Sequence, residues 1–148
     1  MVKQLVYRSR SVVNVTPDIV GDILVTARRN NVRFAITGLL LYGEGIFMQL
    51  LEGAPGDVDE IYGRIRRDLR HVDVQNLYTG YADSRAYPDW QMACRPLHPA
   101  HPADDIFTLA TDILDQHDEP APIDVGQFMK TFYRGVIPTP PPDPADMN

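Results

Sequence analysis

Cysteine is almost missing from this chain: Cys94 is the one thiol in 148 residues. That excludes an internal disulfide and any zinc site built on several thiolates, and it fits a reducing compartment. Excess positive charge is missing too. With 14 Lys and Arg against 20 Asp and Glu the net charge is −6, the wrong sign for a default nucleic-acid partner. No run approaches the roughly 18 apolar residues of a membrane span, and the opening MVKQLVYRSR has no apolar signal core. The expected location is cytoplasmic, away from membrane and nucleic acid. Catalytic signatures are also lacking. GxGxxG, GxxxxGKS/T, HExxH and GxSxG do not occur, and His71, His98, His101 and His117 are scattered without metal-ligand spacing. Neither a metal nor an enzymatic activity is expected.

What is present is ordinary globular patterning, 44% hydrophobic and 23% charged, in a length that suits one core. Its most apolar stretch, Ile36 to Gly53, reads as a hairpin: Leu39 to Tyr42, a turn at Gly43-Glu44-Gly45, then Ile46 to Leu51. Gln49 interrupts the second strand. On an ordinary strand it would face water; buried, its amide needs partners or costs about 1–3 kcal/mol.

Before the hairpin, Gln4 to Tyr7 reads as a strand with Leu5 and Tyr7 on one face and Val6 on the other. Ser9 to Val15 reads as a loop. Thr16-Pro17-Asp18 starts a helix, with an N-cap residue, proline at the first helical position and an acid at the positive end of the dipole. Ile19, Ile23, Ala27 and Asn31 share one side of it. Asn30-Asn31 can serve as a C-terminal cap or, at Asn31, close the stripe with an amide. After Gly53-Ala54-Pro55-Gly56 a second helix turns Val58, Ile61, Tyr62 and Ile65 inward, and Arg64 and Asp68, one turn apart, form an ion pair or share a polar ligand. Val74 to Ala82 reads as a strand with Leu77, Thr79 and Tyr81 on one face, and Gln91 to Leu97 as a fifth strand just after Trp90.

This order implies a ferredoxin-like α+β fold, βαββαββ, with both helices on one face of the sheet. Beyond a proline-rich linker, Ala103 to Gln116 and Val125 to Arg134 have the pattern of two further helices, expected to cover the other face. The expected organisation is a domain over 1–97, a helical cap or output segment over 98–137 and a polyproline tail over 138–148. Such a fold leaves activity open. The loop with Arg8, Arg10 and Asn14 suggests an acylphosphatase-like hydrolase as one alternative, and a plain interaction module is another. If instead the helices lie over the hairpin, Tyr7, Asn31 and Gln49 converge as one hydroxyl and two amides. That uncharged set suits the edge of a flat heterocycle, with the arginines at the end of the second helix left for an anionic tail.

Six blocks in register carry a resemblance: LVYRS at Leu5 to Ser9, ARRNN at Ala27 to Asn31, ITGLLLY at Ile36 to Tyr42, FMQLLEG at Phe47 to Gly53, IRRDLRH at Ile65 to His71 and YPDWQM at Tyr87 to Met92. Together they resemble the BLUF family of flavin-binding blue-light receptors, and the region after Leu97 is similar to that of short members without an output domain of their own. The resemblance implies that Tyr7 gives an electron and a proton to excited flavin, that Gln49 rearranges between them, and that Trp90 and Met92 shift as the signal leaves. It implies FAD as cofactor, with FMN or riboflavin as alternatives. Asn31 would meet the ring edge, with Asn30 also among the cofactor-binding residues; Ile23, Leu40, Phe47 and Ile65 would wall the pocket; Ala27, also counted there, stands where serine is common. Arg64, Asp68, Arg70 and His71 would contact the ribityl or phosphate end. A homo-oligomer or a separate effector protein would receive the signal.

Overall fold

The computed structural model describes residues 1–12, 17–43, 45–89, 92–96, 124–130 and 132; for 17–20, 24, 31 and 93–96 it describes the backbone alone. Strand β1 (Val2–Ser11) is followed by helix α1 (Pro17–Phe34), the hairpin β2 (Thr37–Gly43) and β3 (Ile46–Gly53), helix α2 (Pro55–Arg66), β4 (His71–Ala82), β5 (Ala93–Pro96) and a short helix α3 (Val125–Lys130). The sheet order is β4-β1-β3-β2-β5. The first four strands pair antiparallel, the ferredoxin-like arrangement expected, and β5 adds to the free edge of β2 in parallel.

Alternation along β3 splits the interior into two clusters. Phe47 and Leu51 join Leu5, Tyr7, Ile36 and Leu40 on the front face, where Val58 and Ile61 of α2 cover them and Ile23 of α1 packs alongside. Ile46, Met48 and Leu50 join Val6, Leu39 and Leu41 on the back. There Val125, Phe128, Met129 and Phe132 close over the sheet, Phe128 and Phe132 edge to face at 5.3 Å. The second of the two expected cap helices thus lies on the back face as anticipated, although it ends at Lys130. The first, Ala103 to Gln116, lies outside the described residues, as do Tyr133 and the tail.

Four local expectations give way. Ser9 to Ser11 is strand rather than loop: β1 is central, and Arg10 and Ser11 still have cross-strand partners in Ile46, Val72 and His71. Pairing on both sides extends the strand, and it draws the start of β4 back to His71. Arg8 and Arg10 therefore belong to a sheet strand and not to a loop that could wrap a phosphate. Leu77 does not share a face with Thr79 and Tyr81. A register shift against Val6 and Tyr7 leaves Leu77 unpaired, so it packs with Tyr78 on the back, while Thr79 and Tyr81 pair with Leu5 and Lys3 and stay exposed. Helix α1 runs three residues past Asn31, which excludes the Asn30-Asn31 cap. It ends at Phe34, and the next residue, Ala35, is held at φ 52°. Finally, β5 is described over Ala93–Pro96 and starts after Met92, later than the expected start; Gln91 and Leu97 lie outside the described residues.

Candidate functional site

Between α1, α2 and the front of the sheet lies a cleft of about 760 Å³, counted to its open mouth. Its floor follows from strand register. Tyr7 and Gln49 are direct cross-strand partners, and Leu40 faces Gln49 from the other side. Tyr7 Oη donates to Gln49 Oε1 at 2.5 Å, and Gln49 Nε2 donates to Met92 Sδ at 3.2 Å. All three side chains are buried. Gln49 is 4% exposed, so it does not face solvent. A thioether is a weak acceptor, which leaves the amide firmly held at its oxygen and loosely at its nitrogen.

Burial pushes the Tyr7 phenol far above its ordinary pKa, so the group stays protonated and donates. Tyr62 of α2 lies 5.6 Å from it, ring to ring, and is also raised by burial. His71 meets Tyr7 edge-on at 6.3 Å. The Ile65 carbonyl can only accept, so His71 Nε2 donates to it at 2.5 Å, and Nδ1 pairs with the Ser9 hydroxyl at 2.7 Å.

From α1, Ile23, Ala27 and Asn30 line the cleft; from the strands, Tyr7, Leu40, Phe47 and Gln49; from the end of α2, Arg64 and Ile65. Asp68 and Arg70 from the following loop and His71 at the start of β4 complete it. Met92 does not line the cleft and meets its floor through the bond from Gln49, within the same buried cluster. The Asn31 side chain and Trp90 lie outside the described residues. Three lining residues were not anticipated: Thr26, Leu51 and Ile61. Each obeys a period that points to it, Leu51 two residues from Gln49, Ile61 one helical turn before Ile65, and Thr26 one turn after Ile23.

Of the two alternatives expected for Arg64 and Asp68 the ion pair does not form, although both residues line the cleft. Arg64 bonds Glu60 at 3.2 Å on the exposed side of α2, while Asp68 grips Arg70 through its guanidinium and its backbone N–H. The helix ends at Arg66, so Asp68 is not held one helical turn from Arg64. The Arg70 hydrogen bonds hold the Asp68 carboxyl below the usual range, and Asp68 raises Arg70 in turn. Among the described residues no group of His, Cys, Asp or Glu could hold a metal, and no helix is long and apolar enough to cross a membrane. An apolar slot with an uncharged hydroxyl and amide on its floor and two arginines at one end fits a flat heterocycle carrying an anionic tail.

Known proteins point the same way. The family model for BLUF, sensors of blue light using FAD, matches residues 2–93. Photoactivated adenylate cyclase subunit beta of Euglena longa is 42% identical over 71 residues, 47% of this chain and 8% of that protein. The blue light- and temperature-regulated antirepressor BluF of Escherichia coli (strain K12) is 31% identical over 112 residues, 76% of this chain and 28% of its own length. The chain thus spans well under a third of these relatives. Among solved structures, BlrB, a BLUF protein in its dark state, superposes with a TM-score of 0.65 at 30% identity, covering 88% of this chain and 93% of its own. A bacterial light-regulated adenylyl cyclase gives 0.64 at 34%, over 79% of this chain and 35% of the cyclase. The match runs from β1 into β5 and takes in every element around the cleft: the chain belongs to the BLUF family of flavin-binding blue-light sensors.

Proposed function

We propose that this chain is a non-catalytic blue-light receptor in which Gln49 is the switch. The observation that carries the reading is the relay Tyr7–Gln49–Met92 on the cleft floor, a strong hydrogen bond on one side of a buried amide and a weak one on the other. Bound flavin, FAD by the family description with FMN or riboflavin as alternatives, supplies a strong oxidant under blue light. Tyr7 gives an electron and its Oη proton, the phenol being protonated beforehand because burial disfavours its anion. The Gln49 amide, relieved of that bond, turns and offers the opposite end of its dipole to the ring carbonyl. Leu40, Phe47, Ile23 and Ile65 keep water from competing for the same bonds. Asn31 contacts the ring edge with Asn30 lining the cleft beside it, and Arg64, Asp68, Arg70 and His71 hold the ribityl and phosphate end. Ala27 offers no hydroxyl to that tail. The amide's new partner releases Met92, and Trp90 shifts with it.

In this reading residues 1–97 sense light, 98–137 transmit it, and the proline-rich 138–148 tail takes no part. The signal passes within a cytoplasmic homo-oligomer or to a separate effector protein. Purified chain should be yellow, and blue light should shift its flavin absorption reversibly to the red. A colourless preparation that takes up no added flavin sinks the proposal. Gln49→Leu and Tyr7→Phe should keep the flavin and lose the shift; an unchanged shift in Gln49→Leu removes Gln49 from the switch.

A further inference from the structure

Three residues beyond Gln49, on the opposite face of β3, stands a carboxylate with no solvent exposure, Glu52. Its four hydrogen bonds tie two strands to one loop. Its Oε1 accepts from Gln4 Nε2 at 2.9 Å and from the Ala86 backbone N–H at 2.6 Å. Its Oε2 accepts from the Tyr87 N–H at 3.0 Å and from the Thr37 hydroxyl at 3.5 Å. Gln4 and Thr37 are its cross-strand partners on β1 and β2, so the strands hold the carboxylate and the carboxylate holds the loop. Arg85 fastens the same place, donating from Nη1 to the Glu52 carbonyl at 3.1 Å and to Thr37 Oγ1 at 2.9 Å.

That loop joins β4 to β5 and ends at Met92, the acceptor of the Gln49 amide. It also reaches α3. The Tyr87 ring packs against the back cluster, and its hydroxyl donates to the Gly126 carbonyl at 3.4 Å. A continuous path therefore runs from β3 through Glu52 and Tyr87 to α3, without passing along β5 or through residues 97–123.

We infer that Glu52 is a positioning residue that couples the Gln49 switch to the carboxy-terminal helix through Tyr87, a second exit beside Met92. This rests on the photoreceptor reading. When Met92 loses its amide partner, its end of the loop is released while the Glu52 end stays pinned. The loop then pivots on Ala86 and Tyr87 and transmits the change as a displacement of Tyr87 against Gly126. Without the carboxylate the loop yields along its length and the change dissipates.

Amide hydrogen exchange on the flavin-loaded full chain, in the dark and under blue light, tests this. Wild type should show a light-minus-dark difference in 124–132. Glu52→Gln keeps one acceptor oxygen but turns an NH2 toward the loop amides, so it should raise dark exchange at 85–87 about tenfold. It should also abolish the difference in 124–132 while the flavin absorption still shifts. Tyr87→Phe, a milder change that leaves the carboxylate bonds intact, should erase most of the same difference and leave 85–87 protected. A merely structural Glu52 would raise dark exchange yet preserve the light-dependent difference in both variants, and that result overturns the coupling. A wild type whose spectrum ignores light overturns the photoreceptor reading and the coupling together; a shifting wild type with an unaffected Glu52→Gln overturns the coupling alone.

Discussion

Gln49 and Glu52 are the two polar side chains buried in β3, three residues apart and on opposite faces, and they are held very differently. The carboxylate of Glu52 takes four hydrogen bonds from three separate segments. Gln49 has a single strong partner, Tyr7, and a sulfur. A group saturated by its surroundings cannot turn without leaving several buried donors unmet, each costing about 1–3 kcal/mol. A group with one strong and one weak bond can exchange partners at small cost. The same strand therefore presents a multiply held carboxylate to its back face and a lightly held amide to its front, the arrangement that the proposed switch at Gln49 calls for.

Removing the anchor should show the largest effect. Glu52→Ala strips the acceptor from Gln4 and from two backbone N–H groups and leaves a cavity, an expected loss of about 3–5 kcal/mol in urea unfolding. A loss under about 1 kcal/mol would mean the loop is held by something else and would dissolve the contrast. Gln49→Leu should cost less, about 1–2 kcal/mol, because only the Tyr7 hydroxyl loses its partner and apolar burial offsets part of it. Equal losses for the two variants would show that Gln49 is as firmly fixed as Glu52.

Acid sharpens the comparison from the rim of the cleft. The Asp68 carboxyl is held low by Arg70, so its stabilising effect is complete above the ordinary carboxylate value near pH 4 and is lost as pH falls through the lower folded value. Both side chains are about a third exposed, so the effect should stay below about 1 kcal/mol. Asp68→Asn should remove that part of the pH dependence; an acid transition of undiminished size in the variant would assign it to another group. The smallest effect is expected at Ala35, whose left-handed φ of 52° suits glycine at a helix end. Ala35→Gly should stabilise by about 0.5–1 kcal/mol in thermal unfolding while leaving both buried groups untouched, and a loss of stability would show that the Ala35 methyl makes a contact worth more than its strain.

Periodicity made most of the front face legible. Alternation in β1 and β3 puts Tyr7 and Gln49 on the same side as Leu5, Phe47 and Leu51, and the inward stripes of both helices aim Ile23 and Ile65 at them. Local pattern failed where a partner lay far along the chain. The length of β1 was set by neighbours on both edges, and Arg64 and Asp68 parted because the helix ended between them. Leu77 changed face through a bulge that no composition marks.

By itself, then, the sequence determined the order of elements, the two-sided core and the apolar slot around Tyr7 and Gln49, because these depend on which side each residue faces, and facing repeats every two or 3.6 residues. Only the tertiary structure decided what each buried polar group holds. Glu52 looks in sequence like the polar end of a strand before Gly53, and it becomes an anchor because the backbone of Ala86 and Tyr87, more than 30 residues away, arrives with donors that only a carboxylate can meet together. Hydrogen-bond partners are chosen by position in space, and no local period encodes that choice.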